Sequence, residues 1–317
     1  MKKELDWIYL AHMGYNMWLE PTVDRLGIHG QKGWTDDTDA RDYLRFDEEY
    51  WRKLTAQLKE AGCNVILLDI GEAIQLESHP ELAVKGSWSK AKMADELARL
   101  RAEGFAVYPK LNFSASHDQW LGEYSHMLST SIYYKVTADV IEEIAELFSK
   151  PAYFHLGMDE ETAGHQSRNN YAVIRSGEQW WYDFKLLASA VEKAGSRPWI
   201  WSDYAWHHEE DFFAHMSKEV LQSNWYYGDF SDKTYAGVAL YDKLEAAGFD
   251  QVPTGSNWSR PDNLTRTVDY CSTKIDPARL FGYMQTPWYP TLPKKADAHD
   301  GAIRDLIEAK KLYESKE

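Results

Sequence analysis

Apolar and polar positions along this 317-residue chain repeat as one unit: an amphipathic stretch that ends in glycine, a short apolar run directly after it, then a polar loop. The first part reads as a helix facing a core and the second as a buried strand. Four junctions are near copies: Lys59-Glu60-Ala61-Gly62, Arg101-Ala102-Glu103-Gly104, Glu192-Lys193-Ala194-Gly195 and Glu245-Ala246-Ala247-Gly248. Glycine just past a helix end supplies the left-handed cap.

The pattern predicts eight strands, near 6–13, 63–70, 105–112, 152–158, 197–203, 219–225, 250–256 and 279–286. Helical patterns fall near 47–61, 90–103, 137–149, 177–194, 208–217, 234–247, 262–273 and 296–314. Alternating strands and helices imply a parallel sheet, and eight units imply a closed (β/α)8 TIM barrel, an α/β fold read here as a single domain over 1–317. Pro253 interrupts the seventh strand and weakens it. A doubly wound sheet is the alternative, but no glycine-rich dinucleotide fingerprint follows the first strand.

The loops are lopsided. Helix-to-strand connections are a few residues long, whereas 14–46, 71–89, 113–136 and 159–176 are long strand-to-helix loops. In a barrel those loops rise together from the C-terminal face, where active sites lie.

Composition narrows the chemistry. A formal charge of −15 disfavours nucleic acid and anionic membrane as partners. No apolar window is long enough to span a bilayer. The N-terminus has no apolar signal core, so the expectation is a cytoplasmic protein, or an exported one with its leader removed. Cys63 and Cys271 form no disulfide framework. The chain has 14 Trp and 20 Tyr, many beside Asn, Asp and Gln. Flat rings among amides and acids suit a carbohydrate, which offers an apolar face and a ring of hydroxyls.

Polar groups mark the predicted strand ends: Asn16, Asp69 and Glu72, Asn112, Asp159 and Glu160, Asp203, Asn224 and Trp225, Ser256, Asn257 and Trp258, then Gln285 and Trp288. The fourth end, Tyr153-Phe154-His155-Leu156-Gly157-Met158-Asp159-Glu160-Glu161, is the most pointed. Period two places His155, Gly157 and Asp159 toward the barrel and Phe154, Leu156 and Met158 toward the helices. Glu160 then turns across the mouth. His155 reads either as a substrate contact or as a core histidine. Two adjacent carboxyls can divide the work of glycoside cleavage, one protonating the leaving oxygen and one holding a substituent of the sugar. A Glu between an acid and tryptophans is expected to have a raised pKa.

The pattern His155-x-Gly157-x-Asp159-Glu160 at a fourth barrel strand resembles glycoside hydrolase family 20, the β-N-acetylhexosaminidases. The tryptophans of Trp199-Ile200-Trp201-Ser202-Asp203, Trp225 and Trp288 are similar to that family's pocket wall. The resemblance implies substrate-assisted retaining hydrolysis of a terminal N-acetylhexosamine. Glu160 is then general acid/base and Asp159 orients the 2-acetamido group, which is the nucleophile. His155, Asn112, Trp201, Asp203, Trp225, Trp258, Gln285 and Trp288 are the expected substrate-binding residues, with no metal and no organic cofactor. The chain departs from the family in three places. Met158 replaces a motif glycine, the first strand lacks the usual arginine, and the acetamido-binding tyrosine has only Tyr227 and Tyr289 as candidates.

Three alternatives compete. A retaining glycosidase with two protein carboxylates needs a nucleophile from Asp69, Glu72 or Asp203, since the seventh strand end carries no acid. A metal hydrolase would draw on His207-His208-Glu209-Glu210 and His215, which lack a His-Glu-x-x-His spacing. The third is a barrel that binds glycans without turnover.

Overall fold

The computed structural model describes residues 5–20, 38–169 and 172–316. Eight parallel strands build one sheet: β1 (Asp6–His12), β2 (Val65–Asp69), β3 (Ala106–Lys110), β4 (Tyr153–His155), β5 (Arg197–Trp201), β6 (Leu221–Ser223), β7 (Thr254–Gly255) and β8 (Gly282–Gln285). Their order is β6-β5-β4-β3-β2-β1-β8-β7, and the parallel bridges Gln222–Gln251 and Trp225–Thr254 close the ring. The fold is a (β/α)8 barrel, as the alternating pattern predicts.

The surrounding helices are α1 (Glu48–Glu60), α2 (Lys90–Ala102), α3 (Ser131–Leu147), α4 (Glu178–Lys193), α5 (Glu209–His215), α6 (Ala236–Ala246), α7 (Asn263–Cys271) and α8 (Ala296–Lys316). Side chains of Asp47, Ser89 and Thr130 accept the orphan N–H groups of Tyr50, Lys92 and Tyr133 at three helix starts. The four repeated glycines, 62, 104, 195 and 248, all have positive φ, from +74° to +98°.

Three boundaries differ from expectation. Thr130 starts α3 at Ser131, ahead of the predicted 137, because its hydroxyl caps there. The helix expected over 208–217 is α5 alone, and a short helical turn that was not expected, Tyr204–His207, precedes it, parted at His208 with φ −134°. Strand β4 ends at His155 rather than 158, since Gly157 and Met158 turn left-handed. The weak seventh strand is real but two residues long, next to a proline that has no N–H for the ladder.

Two cores follow from the period of two along each strand. Ile8, Leu10, Val65, Leu67, Trp199, Trp201, Leu221 and Met284 fill the barrel. Tyr9, Ile66, Leu68, Phe154 and Ile200 face outward to Leu54, Leu97, Ile141, Leu187, Leu244 and Leu306 of the helices. Truncating one such buried side chain to alanine costs about 2–5 kcal/mol. Leu156 and Met158 join the outer core, as their register predicts. Among the described residues, no helix is long and apolar enough to cross a membrane.

Candidate active site

Beyond His155 the chain leaves the sheet through left-handed positions at Gly157 (φ +71°), Met158 (φ +75°) and Glu160 (φ +53°). Such a conformation costs a non-glycine residue about 1–3 kcal/mol, so the surroundings must hold it. Met158 stands where the resembled family has glycine, and its φ is one that glycine adopts without strain.

The loop after β3 supplies the restraint. Asn112 Oδ1 accepts from the N–H groups of Met158 (3.2 Å) and Ser114 (3.1 Å), and its Nδ2 donates to Asp159 Oδ1 at 2.7 Å. Ser114 Oγ donates to the Asp159 carbonyl and Ser116 Oγ to that of Glu160, at 2.5 and 2.7 Å. From β5, Asp203 Oδ2 accepts the Glu160 N–H at 2.8 Å, and Oδ1 accepts the Trp225 indole N–H at 3.0 Å. His155 Nδ1 accepts the Gly157 N–H at 3.0 Å.

The two carboxylates have different neighbours. Glu160 lies between two imidazoles: His117 Nε2 is 3.3 Å from Oε2, and His165 Nε2 is 3.4 Å from Oε1. Burial pushes Glu160 up, but bonds and charges from His117 and His165 outweigh it and hold the carboxyl well below its usual range. This corrects the expectation of a raised pKa: the sequence placed tryptophans beside Glu160, whereas the fold adds two histidines. For His117, burial works against the cation, yet Asp159 and Glu160 prevail and raise it to about 9. Its Nδ1 bonds the Met17 carbonyl at 3.1 Å, which aims Nε2 at the carboxylates. Burial, then the charge of Asp159, lifts Asp203 to about 7.

A cleft of about 340 Å³ opens above these groups. Asp159, Glu160, His117 and His165 form its polar side, and Trp18, Trp225, Tyr227, Trp258 and Trp288 its aromatic side. Trp288 Nε1 donates to Tyr227 Oη at 2.9 Å, and Trp225 lies 5.0 Å from the Tyr227 ring. Trp258 is 43% exposed at the rim.

The expected site residues therefore separate into layers. Asp159, Glu160, Trp225, Trp258 and Trp288 line the cleft; Asp203 lines an adjoining cavity beside Glu160. Asn112, His155 and Trp201 are buried beneath it, with His155 packed 4.5 Å from the Trp201 ring and kept neutral by burial and by Lys110. Gln285 faces away: its amide donates to the Ala302 carbonyl of α8 at 3.3 Å. Strand β8 alternates faces, and Gln285 falls on the outer one with Tyr283, so it is corrected from substrate contact to packing. Tyr289 packs against Trp258 with the rings tilted at 37° and 5.3 Å apart, and among the described residues Tyr227 is the tyrosine that lines the cleft.

Sequence reasoning missed His117 and His165. They lie in the long loops, where no strand periodicity marks a residue's direction. Proximity to the strand ends in sequence was the one available signal. Among the described residues no group of three or more His, Cys, Asp or Glu is arranged to hold a metal ion.

No family model and no curated protein matches the chain. Solved structures do match. The solved structures this chain matches in fold include family 20 glycoside hydrolases. The Vibrio harveyi GH20 exo β-N-acetylglucosaminidase, solved with N-acetylglucosamine, superposes with a TM-score of 0.61 at 14% identity, over 94% of this chain and 54% of that one. The Flavobacterium johnsoniae chitobiase gives 0.56 at 18%, over 85% and 48%. Dispersin B gives 0.56 at 13%, over 94% and 97%. The chain thus spans about half the length of the first two. At these identities the likeness concerns the fold.

Proposed function

We propose that this protein is a glycoside hydrolase that removes a terminal N-acetylhexosamine, with the sugar's 2-acetamido group as nucleophile. The observation that carries the reading is the unlike pair of adjacent carboxylates on the cleft floor. Asp159 is held by the Asn112 amide, and Glu160 is set between two imidazoles.

In the proposed reaction Asp159 accepts the acetamido N–H and orients the acetamido oxygen toward the anomeric carbon. That oxygen attacks, the glycosidic bond breaks, and its electron pair takes a proton from Glu160. His117 and His165 hold Glu160 as the carboxylate, so this proton must first reach it. His117 holds one 3.3 Å away, and its transfer from Nε2 to Oε2 leaves a neutral imidazole and a carboxylic acid. Water then attacks the cyclised sugar, and Glu160 takes the water's proton as base. Inversion at each step gives overall retention. Tyr227 is the candidate donor to the acetamido oxygen, and Trp225, Trp258 and Trp288 pack the sugar's apolar face.

The other carboxylates support this reading over a protein nucleophile. Asp69 accepts from Lys110 Nζ at 2.6 Å and lies 3.3 Å from His12 inside the barrel. Glu72 holds the N–H groups of Tyr15 and Asn16 at 2.9 and 3.1 Å. Asp203 is occupied with Glu160 and Trp225.

A panel of aryl glycosides with and without a 2-acetamido group tests the proposal. Turnover of the acetamido set alone is the expected result, with loss in Glu160→Gln. Turnover of plain glycosides alone, or equal rates in wild type and Glu160→Gln, would overturn it.

A further inference from the structure

We propose that Arg175 is a positioning residue that sets the separation of Glu160 and His117 by clamping Glu161; the role in turnover rests on the reading above. Glu161 follows Glu160 directly, and its carboxylate does not enter the cleft. Its side chain is 2% exposed and meets Arg175 edge to edge, with Nε to Oε1 at 2.5 Å and Nη2 to Oε2 at 2.7 Å. The same guanidinium donates from Nη2 to the Phe113 carbonyl at 2.9 Å and contacts Asp183 Oδ2 through Nη1 at 3.2 Å.

These bonds join three parts of the chain. Phe113 precedes Ser114, which holds the Asp159 carbonyl, and begins the loop that carries His117. Glu161 belongs to the loop that carries Glu160. Asp183 lies on α4, where Ser129, Tyr134 and Gln179 also bond it, so it is an immobile anchor. One planar group therefore ties the Glu160 loop to the His117 loop and both to a helix. The need is local: Glu160 is left-handed, and a backbone in that region relaxes unless both sides are held. Asp203 holds the N–H on one side. Arg175 holds the residue on the other.

A lysine cannot reproduce this. It is a point charge without the two-donor edge that matches a carboxylate, and it cannot also reach a carbonyl and a second acid. Arg175→Lys keeps the charge, so its effect on His117 reports geometry and not net field.

The test reads the His117 imidazole by NMR titration in wild type, Arg175→Lys and the charge-neutral double variant E161Q/R175Q, beside kcat and KM. His117 is raised to about 9 by Asp159 and Glu160, with Lys110 opposing. A loosened Glu160 loop is expected to lower that midpoint by about one unit or more. On an N-acetylhexosaminide kcat is expected to fall about 10- to 100-fold, with KM changed less than about threefold. The double variant deletes both charges together and serves if Arg175→Lys does not fold. An unchanged His117 midpoint in a folded variant would overturn the proposal, as would wild-type kcat per folded molecule with only a lower Tm. If wild type hydrolyses no acetamido sugar, the proposed function fails, while the His117 midpoint still decides the clamp.

Discussion

Gly157 and Asn112 approach so closely that a Cβ on the glycine would lie 2.0 Å from the asparagine Oδ1. The contact brings the Asn112 amide to Asp159, and it exists only because position 157 has no side chain. Gly157→Ala must displace Asn112 and also occupy φ +71°. The expected result is a loss of about 2–4 kcal/mol in denaturant unfolding, together with a fall in kcat larger than the loss of folded protein explains. Wild-type stability in this variant would remove the account of the glycine.

The ion pair of His117 and Glu160 makes pH a direct probe. His117 is raised in the folded state, so its contribution is complete below its unfolded value of 6.5 and is lost as pH rises through about 9. The loss is on the order of 3 kcal/mol for a shift of this size. Stability measured from pH 6 to 10 is expected to decline in wild type and to decline less in Glu160→Gln. The same deprotonation removes the proton reserve for Glu160, so kcat/KM is expected to fall on the alkaline side near pH 9. His117→Gln should lack that limb.

Asp203 behaves with the opposite chemistry and the same sign. Its carboxyl is raised from 3.8 to about 7, so the stabilising protonated form is complete below 3.8 and is lost as pH rises through about 7. Asp203→Asn is expected to flatten stability between pH 4 and 7. It is also expected to lower kcat about tenfold, because the asparagine puts an NH2 donor where one of the two carboxylate oxygens accepts, facing either the Glu160 N–H or the Trp225 indole N–H. Thermal unfolding across pH and steady-state kinetics check the two halves separately.

Trp258 sits at the rim, 43% exposed, and lines the cleft. Trp258→Ala is expected to raise KM about tenfold with kcat within about twofold, since a stacking platform binds ground state and transition state alike. Its Tm should stay near wild type. A fall in kcat at constant KM would place this ring in the chemistry instead.

Much of the fold was legible because its signals are local. Glycine-ended helices and apolar runs recur, and each glycine takes the left-handed cap its place implied. Asp159 and Glu160 were legible as well, because a strand end in a barrel has a known position. The alternation of β4 located Phe154, Leu156 and Met158 on the outer core. Gln285 was misjudged because the predicted strand end left its face open, and β8 turns that residue toward Ala302.

The sequence by itself determined the barrel, the strand that carries the acids and the aromatic character of the cleft, since each follows from short-range periodicity and residue type. Only the tertiary structure decided the charge state of Glu160. His117 comes from the loop after β3, and His165 from the loop that β4 begins. Electrostatic effects depend on separations of 3.3 and 3.4 Å that no spacing in the chain encodes. The clamp of Arg175 on Glu161 and Phe113 is decided in the same way, across 14 and 62 residues of sequence.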